Sequence, residues 1–181
     1  MAHIALDNDL PGISGLMAHR KDTGEPLNHL AEILLRGPSP ISRGERELIA
    51  AYVSQLNATP FCAGSHSAFA AAQLAGGERL VASVLADPAT APITPLLRAL
   101  LRIAAEVQSA AAPVSDEAVA AARAEGAGDT EIHDTVLIAA AFCLYNRYVS
   151  GLATTVPDAD YYRGSAERIV ARGYRGSYSE A

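Results

Sequence analysis

Leucine, isoleucine, valine and alanine recur along the chain at three- and four-residue steps, and no run alternates apolar with polar residues over the length of a strand. An all-α fold is expected. After a start without a clear period, residues 25–36 carry the first helical pattern, stopped by Gly37-Pro38. Ser42 followed three residues later by Glu45 is a capping-box signature, and Leu48, Ile49, Tyr52, Val53 and Leu56 extend it as an apolar stripe to residue 57. Thr59-Pro60 opens the next helix as cap and first helical position, and Gly76-Gly77 is expected to end it. A short helix over residues 78–85 precedes a Pro-rich loop at 87–95. Thr94-Pro95 repeats the cap signal ahead of Leu96, Leu97, Leu100, Leu101, Ile103, Ala104 and Val107, with Arg98, Arg102 and Glu106 on the solvated side. Residues 115–125 read as an Ala-rich helix stopped by Gly126. Asp129 caps a long helix to residue 152, apolar all round over 136–145 and therefore expected to be the central buried element. Residues 158–172 form a last helix. The chain thus divides into an N-terminal segment at 1–24, one helical domain at 25–172 and a tail at 173–181.

Composition narrows the function classes. Half of the 181 residues are hydrophobic and 19% are charged, against a usual ~25%, which excludes a disordered chain. A formal charge of −6 repels phosphate backbones and anionic lipid, so neither nucleic acid nor a membrane surface is an expected partner. The longest strongly apolar run, residues 136–145, is about half of the ~20 residues that cross a bilayer, and the opening segment lacks the basic-then-apolar order of a leader. Cys62 and Cys143 lie far apart in sequence, which gives no disulfide framework and points to a reducing, cytoplasmic setting. No cofactor is implied, since Gly12-Ile13-Ser14-Gly15 has no strand before it and no other Gly-rich phosphate loop occurs. From residue 48 to residue 77 only the titratable His66 interrupts an uncharged stretch. A hairpin so poor in charge must be covered by the rest of the domain or by another copy of the chain, and a homo-oligomer is expected.

The candidate chemistry sits in that hairpin. Cys62, third residue of its helix, faces first-turn N–H groups and the positive end of the helix dipole, which favour thiolate over thiol. His66 follows four residues later on the same face, within reach for proton exchange. Glu47 lies opposite the apolar stripe of its helix among Ala50, Ala51, Ser54 and Ala58, side chains small enough for a second helix to approach closely. If the Cys62 helix packs there, Glu47 becomes a buried carboxylate that can orient His66 or relay its proton; otherwise it is an exposed first-turn glutamate. Cys62 and His66 could equally be packing residues, or two ligands of a metal whose third and fourth ligands are not evident, so no metal is assigned. Cys143, within Ala-Ala-Phe-Cys-Leu-Tyr, reads as an inert core residue.

Taken together, Arg46-Glu47-Leu48-Ile49-Ala50, Ser54-Gln55-Leu56-Asn57, Pro60-Phe61-Cys62 and His66 resemble the signature of the alkylhydroperoxidase-D-like and carboxymuconolactone decarboxylase superfamily, particularly its peroxidase-related branch. Glu131-Ile132-His133 and Asn146-Arg147 extend the resemblance over most of the chain. In that pattern a Glu precedes a C-x-x-C pair by twelve residues and a His follows the second Cys by four. Glu47, position 59, Cys62 and His66 keep those spacings, but position 59 is Thr59, so the local disulfide cannot form. The resemblance implies an alkylhydroperoxidase-D-like helical domain with Cys62 as attacking thiol, His66 as proton-transfer partner and Glu47 as relay carboxylate. An external thiol would then reduce the oxidised sulfur. Two further expectations remain beside a thiol peroxidase acting on a small hydroperoxide. One is acid–base chemistry on a carboxylated lactone, using His66 and Glu47 but not sulfur. The other is a non-catalytic helical oligomer or ligand-binding scaffold.

Overall fold

The computed structural model describes residues 2–175, among which nine α-helices form: α1 (Gly12–His19), α2 (Lys21–Arg36), α3 (Arg43–Leu56), α4 (Pro60–Ala71), α5 (Gly77–Ala86), α6 (Pro95–Ser109), α7 (Asp116–Ala124), α8 (Asp129–Gly151) and α9 (Ala159–Arg172). No strand occurs among the described residues. None of their helices is long and apolar enough to cross a membrane. The helices run in one bundle around α3, which packs most extensively on α4 and also on α8 and α6. Both faces of α3 are covered. Leu48, Ile49 and Val53 fill one side, and the small Ala50, Ala51 and Ser54 let α4 approach on the other. A fully buried side chain of the Leu, Ile or Val type stabilises by roughly 1.5–3 kcal/mol, so this doubly covered helix is where the core is anchored.

The most deeply enclosed helix is therefore α3 rather than α8. In α8, Ile138, Ala139, Phe142 and Tyr145 are buried, but Leu137 and Leu144 point outward at 39% and 49% exposure. An apolar run in a helix covers every face, and a neighbour was not supplied for each one. Asp129 also does not cap α8: the cap position is Gly128, whose N–H donates to Glu131 Oε2 at 3.0 Å.

Two more boundaries differ from the sequence reading. The segment at 1–24 contains α1 and the first turn of α2, because Leu16 and Met17 supply buried contacts that the short Gly-rich stretch does not advertise. Pro26 lies inside α2, near its start, where few intrahelical bonds are lost. Gly12 permits α1 to begin against α4: its φ of +57° suits glycine, and a Cβ there would meet the Phe61 ring at 2.3 Å. Helix α4 stops at Ala71 instead of Gly76, with the Gln73 amide donating to the Phe69 carbonyl at 3.0 Å over the last turn.

Adjacent residues of α3 point to different jobs, as a rotation of about 100° per residue requires. Arg46 is buried and its guanidinium donates to the Leu34 and Gly37 carbonyls at 2.8 and 3.0 Å, tying the C-terminal end of α2 to α3. Glu47 turns instead toward α4.

Candidate functional site

The capping box of α3 is formed: Ser42 N–H donates to Glu45 Oε2 at 3.0 Å, and Glu45 N–H donates to Ser42 Oγ at 3.3 Å. It fixes the first turn of α3 and hence the direction of Glu47, which is only 1% exposed. Thr59 and Pro60 open α4, but the Thr59 hydroxyl does not cap it. It hydrogen-bonds the Asn57 carbonyl at 3.3 Å and the Ser150 hydroxyl of α8 at 3.2 Å. Cys62 follows as the third helical residue and His66 one turn later.

The packing of α4 on α3 brings Glu47 and His66 together: His66 Nδ1 lies 2.6 Å from Glu47 Oε2. A carboxylate so deeply buried needs a donor for each oxygen. The second donor is the Tyr174 hydroxyl, 2.7 Å from Glu47 Oε1. With Glu47 ionised, His66 Nδ1 carries the proton of that bond and Nε2 is the nitrogen left for exchange. The imidazole is boxed by aromatic rings, with Phe142 and Phe69 in edge contacts at 4.5 and 5.3 Å between centroids and Tyr174 stacked at 6.4 Å.

Tyr174 belongs to the segment assigned from sequence to the tail, yet it is buried. Residues 176–181 of that tail lie outside the described residues. Helix α9 ends at Arg172, and Gly173 at φ +79° turns the chain back onto α2, where Tyr174 N–H donates to Glu32 Oε2 at 2.7 Å. Arg36 reinforces the turn, lying 3.5 Å from Glu32 and donating to the Ile169 carbonyl at 2.9 Å. A glycine after a helix end followed by an aromatic residue hints that the chain reverses. Nothing local indicates a partner 127 residues away.

Cys62 and His66 line one cavity of about 40 Å³, walled by Ile13 and Met17 of α1, Asn28 and Ala31 of α2, Phe61 of α4, Phe142 and Tyr145 of α8, and Tyr174. Its surface is mostly apolar, with the sulfur and the imidazole as the reactive groups facing it. Among the described residues no group of three or more His, Cys, Asp and Glu side chains is placed to hold a metal ion.

The electrostatic expectation for Cys62 is reversed. Burial pushes its thiol up to about 12, with the Asn146 amide pulling weakly the other way. First-turn amides and the helix dipole favour the thiolate, but loss of hydration at 3% exposure outweighs them, so the resting sulfur is a thiol. Asn146 belongs to a second polar inclusion beside the sulfur. Gln108 donates to Asn57 Oδ1 at 3.0 Å, Asn57 to Asn146 Oδ1 at 2.9 Å, Asn146 to Ser54 Oγ at 3.0 Å, and Ser54 to the Ala50 carbonyl at 2.8 Å. Cys143 is half-buried at the edge of this chain, accepting from Asn57 at 3.6 Å, and is not a full core residue.

With this geometry in place, comparison with known proteins is informative. The profile of the carboxymuconolactone decarboxylase family matches residues 21–106, which include Glu47, Cys62 and His66. No curated protein matches significantly. Among solved structures, an uncharacterized peroxidase-related protein from Silicibacter sp. TM1040 is similar at 28% identity and a TM-score of 0.76, covering 86% of this chain and 80% of its own. An uncharacterized peroxidase-related protein from Ralstonia eutropha JMP134, described as an alkylhydroperoxidase AhpD core, is similar at 25% identity and a TM-score of 0.77, covering 85% and 80%. A shared all-α bundle, the matched profile and the retained spacing of Glu47, Cys62 and His66 converge, and the chain is similar to the alkylhydroperoxidase-D-like and carboxymuconolactone decarboxylase superfamily and to solved proteins described as peroxidase-related.

Proposed function

We propose that this protein is a thiol-dependent hydroperoxide reductase. The observation that carries the reading is the 2.6 Å Glu47–His66 contact, buried at the wall of the same small cavity that Cys62 faces. Because the resting sulfur is protonated, the reaction starts with transfer of the Cys62 proton to His66 as the peroxide enters. Glu47 stabilises the imidazolium that results. The thiolate then attacks the terminal peroxide oxygen: an S–O bond forms, the O–O bond breaks, and the sulfur is oxidised by two electrons. The departing alkoxide or hydroxide takes the proton back from His66. Thr59 offers no second sulfur, so an external thiol reduces the sulfenic acid, a first equivalent displacing water and a second releasing Cys62. The reading also includes assembly of copies of the chain across the outward Leu137 and Leu144 of α8.

One observation favours a second reading. A buried, protonated Cys62 beside a carboxylate-held imidazole equally suits acid–base chemistry on a carboxylated lactone, in which the sulfur only shapes the cavity. Single-turnover oxidation separates the two. Hydrogen peroxide and an alkyl hydroperoxide should be consumed by the parent protein with loss of the Cys62 thiol, and Cys62→Ser should fall to the uncatalysed background. Equal peroxide consumption by Cys62→Ser would overturn the proposal. Lactone turnover retained in Cys62→Ser and lost in His66→Ala would install the second reading.

A further inference from the structure

Helix α2 turns one face to the core along Gly24, Asn28, Ala31 and Leu35, steps of four, three and four residues that keep side chains on one side of a helix. Gly24, Ala31 and Leu35 are buried, and the remaining place in the stripe holds an amide. Asn28 and Ala31 both line the cavity that Cys62 and His66 share. A polar side chain on a core-facing stripe ordinarily finds its partner within the fold. The Asn28 side chain has no hydrogen-bond partner among the described residues.

The hydroxyl groups of the same wall are already engaged. Tyr145 donates to the Leu27 carbonyl at 2.9 Å, and Tyr174 donates to Glu47 Oε1 at 2.7 Å. Asn28 therefore brings an uncommitted donor and acceptor to the cavity that holds the sulfur. It also marks the way in. Among the residues that line the cavity, Ile13 of α1 and Asn28 of α2 are half-buried and the others are buried, so the opening lies between these two helices. A volume of about 40 Å³ takes a few water-sized groups at ~10–15 Å³ each. It fits the two oxygens of a peroxide and leaves an organic body outside, and a group that passes from this opening to the sulfur lies against the amide.

We propose that the Asn28 side-chain amide binds the peroxide group of a small hydroperoxide that enters between α1 and α2. This rests on the thiol-peroxidase reading and adds to it the residue that holds the substrate. A hydroperoxide offers one O–H donor and two acceptor oxygens, and a carboxamide carries the complement of each on neighbouring atoms. The Asn28 carbonyl accepts the hydrogen of the terminal oxygen, which keeps that hydrogen as it passes to the sulfur and becomes the sulfenic acid. The Asn28 N–H donates to the other oxygen, where charge builds as the O–O bond breaks, until His66 gives it a proton.

Asn28→Ala is the test, because it removes the amide and widens the opening, so that slower oxidation cannot come from blocked access. In a Cys143→Ser background, formation of the Cys62 sulfenic acid with hydrogen peroxide, trapped by dimedone, should slow about tenfold, the size of one or two hydrogen bonds. Methylation of reduced Cys62 by iodomethane, which has no oxygen for the amide to hold, should stay at the parent rate or rise. Thermal stability should not fall, since the amide has no partner to lose. Oxidation of Asn28→Ala at the parent rate would overturn this proposal and leave the peroxidase reading in place. Parallel slowing of oxidation and methylation would also overturn it, by making Asn28 a residue that shapes the sulfur and not one that holds the substrate. A parent protein that forms no dimedone adduct would overturn the peroxidase reading itself, and this proposal with it.

Discussion

The two ends of the reactive stretch of α4 lie one turn apart and are finished in different ways. Behind the Nδ1 side of His66 the network is complete: one oxygen of Glu47 holds the imidazole, the other accepts from Tyr174, and the backbone of Tyr174 is tied to Glu32. At Cys62 the sulfur is buried with no charged partner among the described residues, and Thr59 has turned its hydroxyl toward α8; the Tyr162 hydroxyl, on the α9 side of α4, likewise has no hydrogen-bond partner among them. A saturated network holds a single geometry, which suits a group that must receive and return a proton at a fixed place. An unsaturated one leaves donors for whatever enters. Under the proposed peroxidase reading, that difference fits a proton device at His66 and an arriving reactant at Cys62.

The largest test of that contrast is removal of the charge at the saturated end. Glu47→Gln keeps the shape of the carboxylate but cannot stabilise a protonated imidazole, and its amide can present a donor to Nδ1. Peroxide reduction should fall roughly 10²- to 10⁴-fold, the usual contribution of positioned acid–base catalysis, as read by single-turnover oxidation of Cys62. A variant within a few-fold of the parent would show that the Glu47–His66 pair is structural.

The sulfur end gives an effect of similar kind in the opposite sense. With Cys62 raised from its ordinary 9.0 to about 12, its thiolate fraction at neutral pH should lie roughly 10³-fold below that of an exposed thiol, at tenfold per pH unit. Iodoacetamide alkylation in a Cys143→Ser background should therefore be slow at neutral pH and climb toward a midpoint near 12. A midpoint at or below the ordinary value would mean that the first-turn amides dominate after all. The sign for stability follows: the folded state holds this proton more tightly than the unfolded state. The resulting stabilisation is complete below about 9 and disappears as the pH rises toward about 12.

How much of this was legible in the sequence divides along the same line. The Glu47–His66 contact follows from local signals: a capping box that sets the phase of α3, a face of Ala50, Ala51 and Ser54 that admits a neighbour, and a proline that starts α4 at a known residue. Those signals also fix Cys62 and His66 on one helix face. The ionisation of Cys62 was not legible, because the helix dipole is a property of α4 alone whereas burial depends on α1, α8 and α9 closing over it. Tyr174 and Tyr162 arrive from beyond the long loop after α8, and no periodicity carries information about a contact at that separation. Helix α1 was missed for a related reason, since its glycines lower helix propensity while their lack of side chains is what lets it lie against Phe61.

One substitution made twice resolves the contrast at its finest. Replacing Tyr174 by Phe deletes a donor from a carboxylate that is 1% exposed, so Glu47 Oε1 is left buried with the hydrogen bond of His66 as the carboxylate's remaining named partner. The expected cost is about 1–3 kcal/mol, seen as a Tm lower by roughly 2–4 °C per kcal/mol for a chain of this size. Replacing Tyr162 by Phe deletes a hydroxyl that has no hydrogen-bond partner among the described residues, so the same chemical change should leave Tm unchanged or raise it slightly. Differential scanning calorimetry of the two variants, both reduced, reads the comparison directly. Equal losses would mean that the Tyr162 hydroxyl has a resting partner and that the sulfur end is as complete as the histidine end. Opposite responses would show that the Tyr174 hydroxyl is a working part of the Glu47–His66 network, whereas the Tyr162 hydroxyl adds nothing to the folded state.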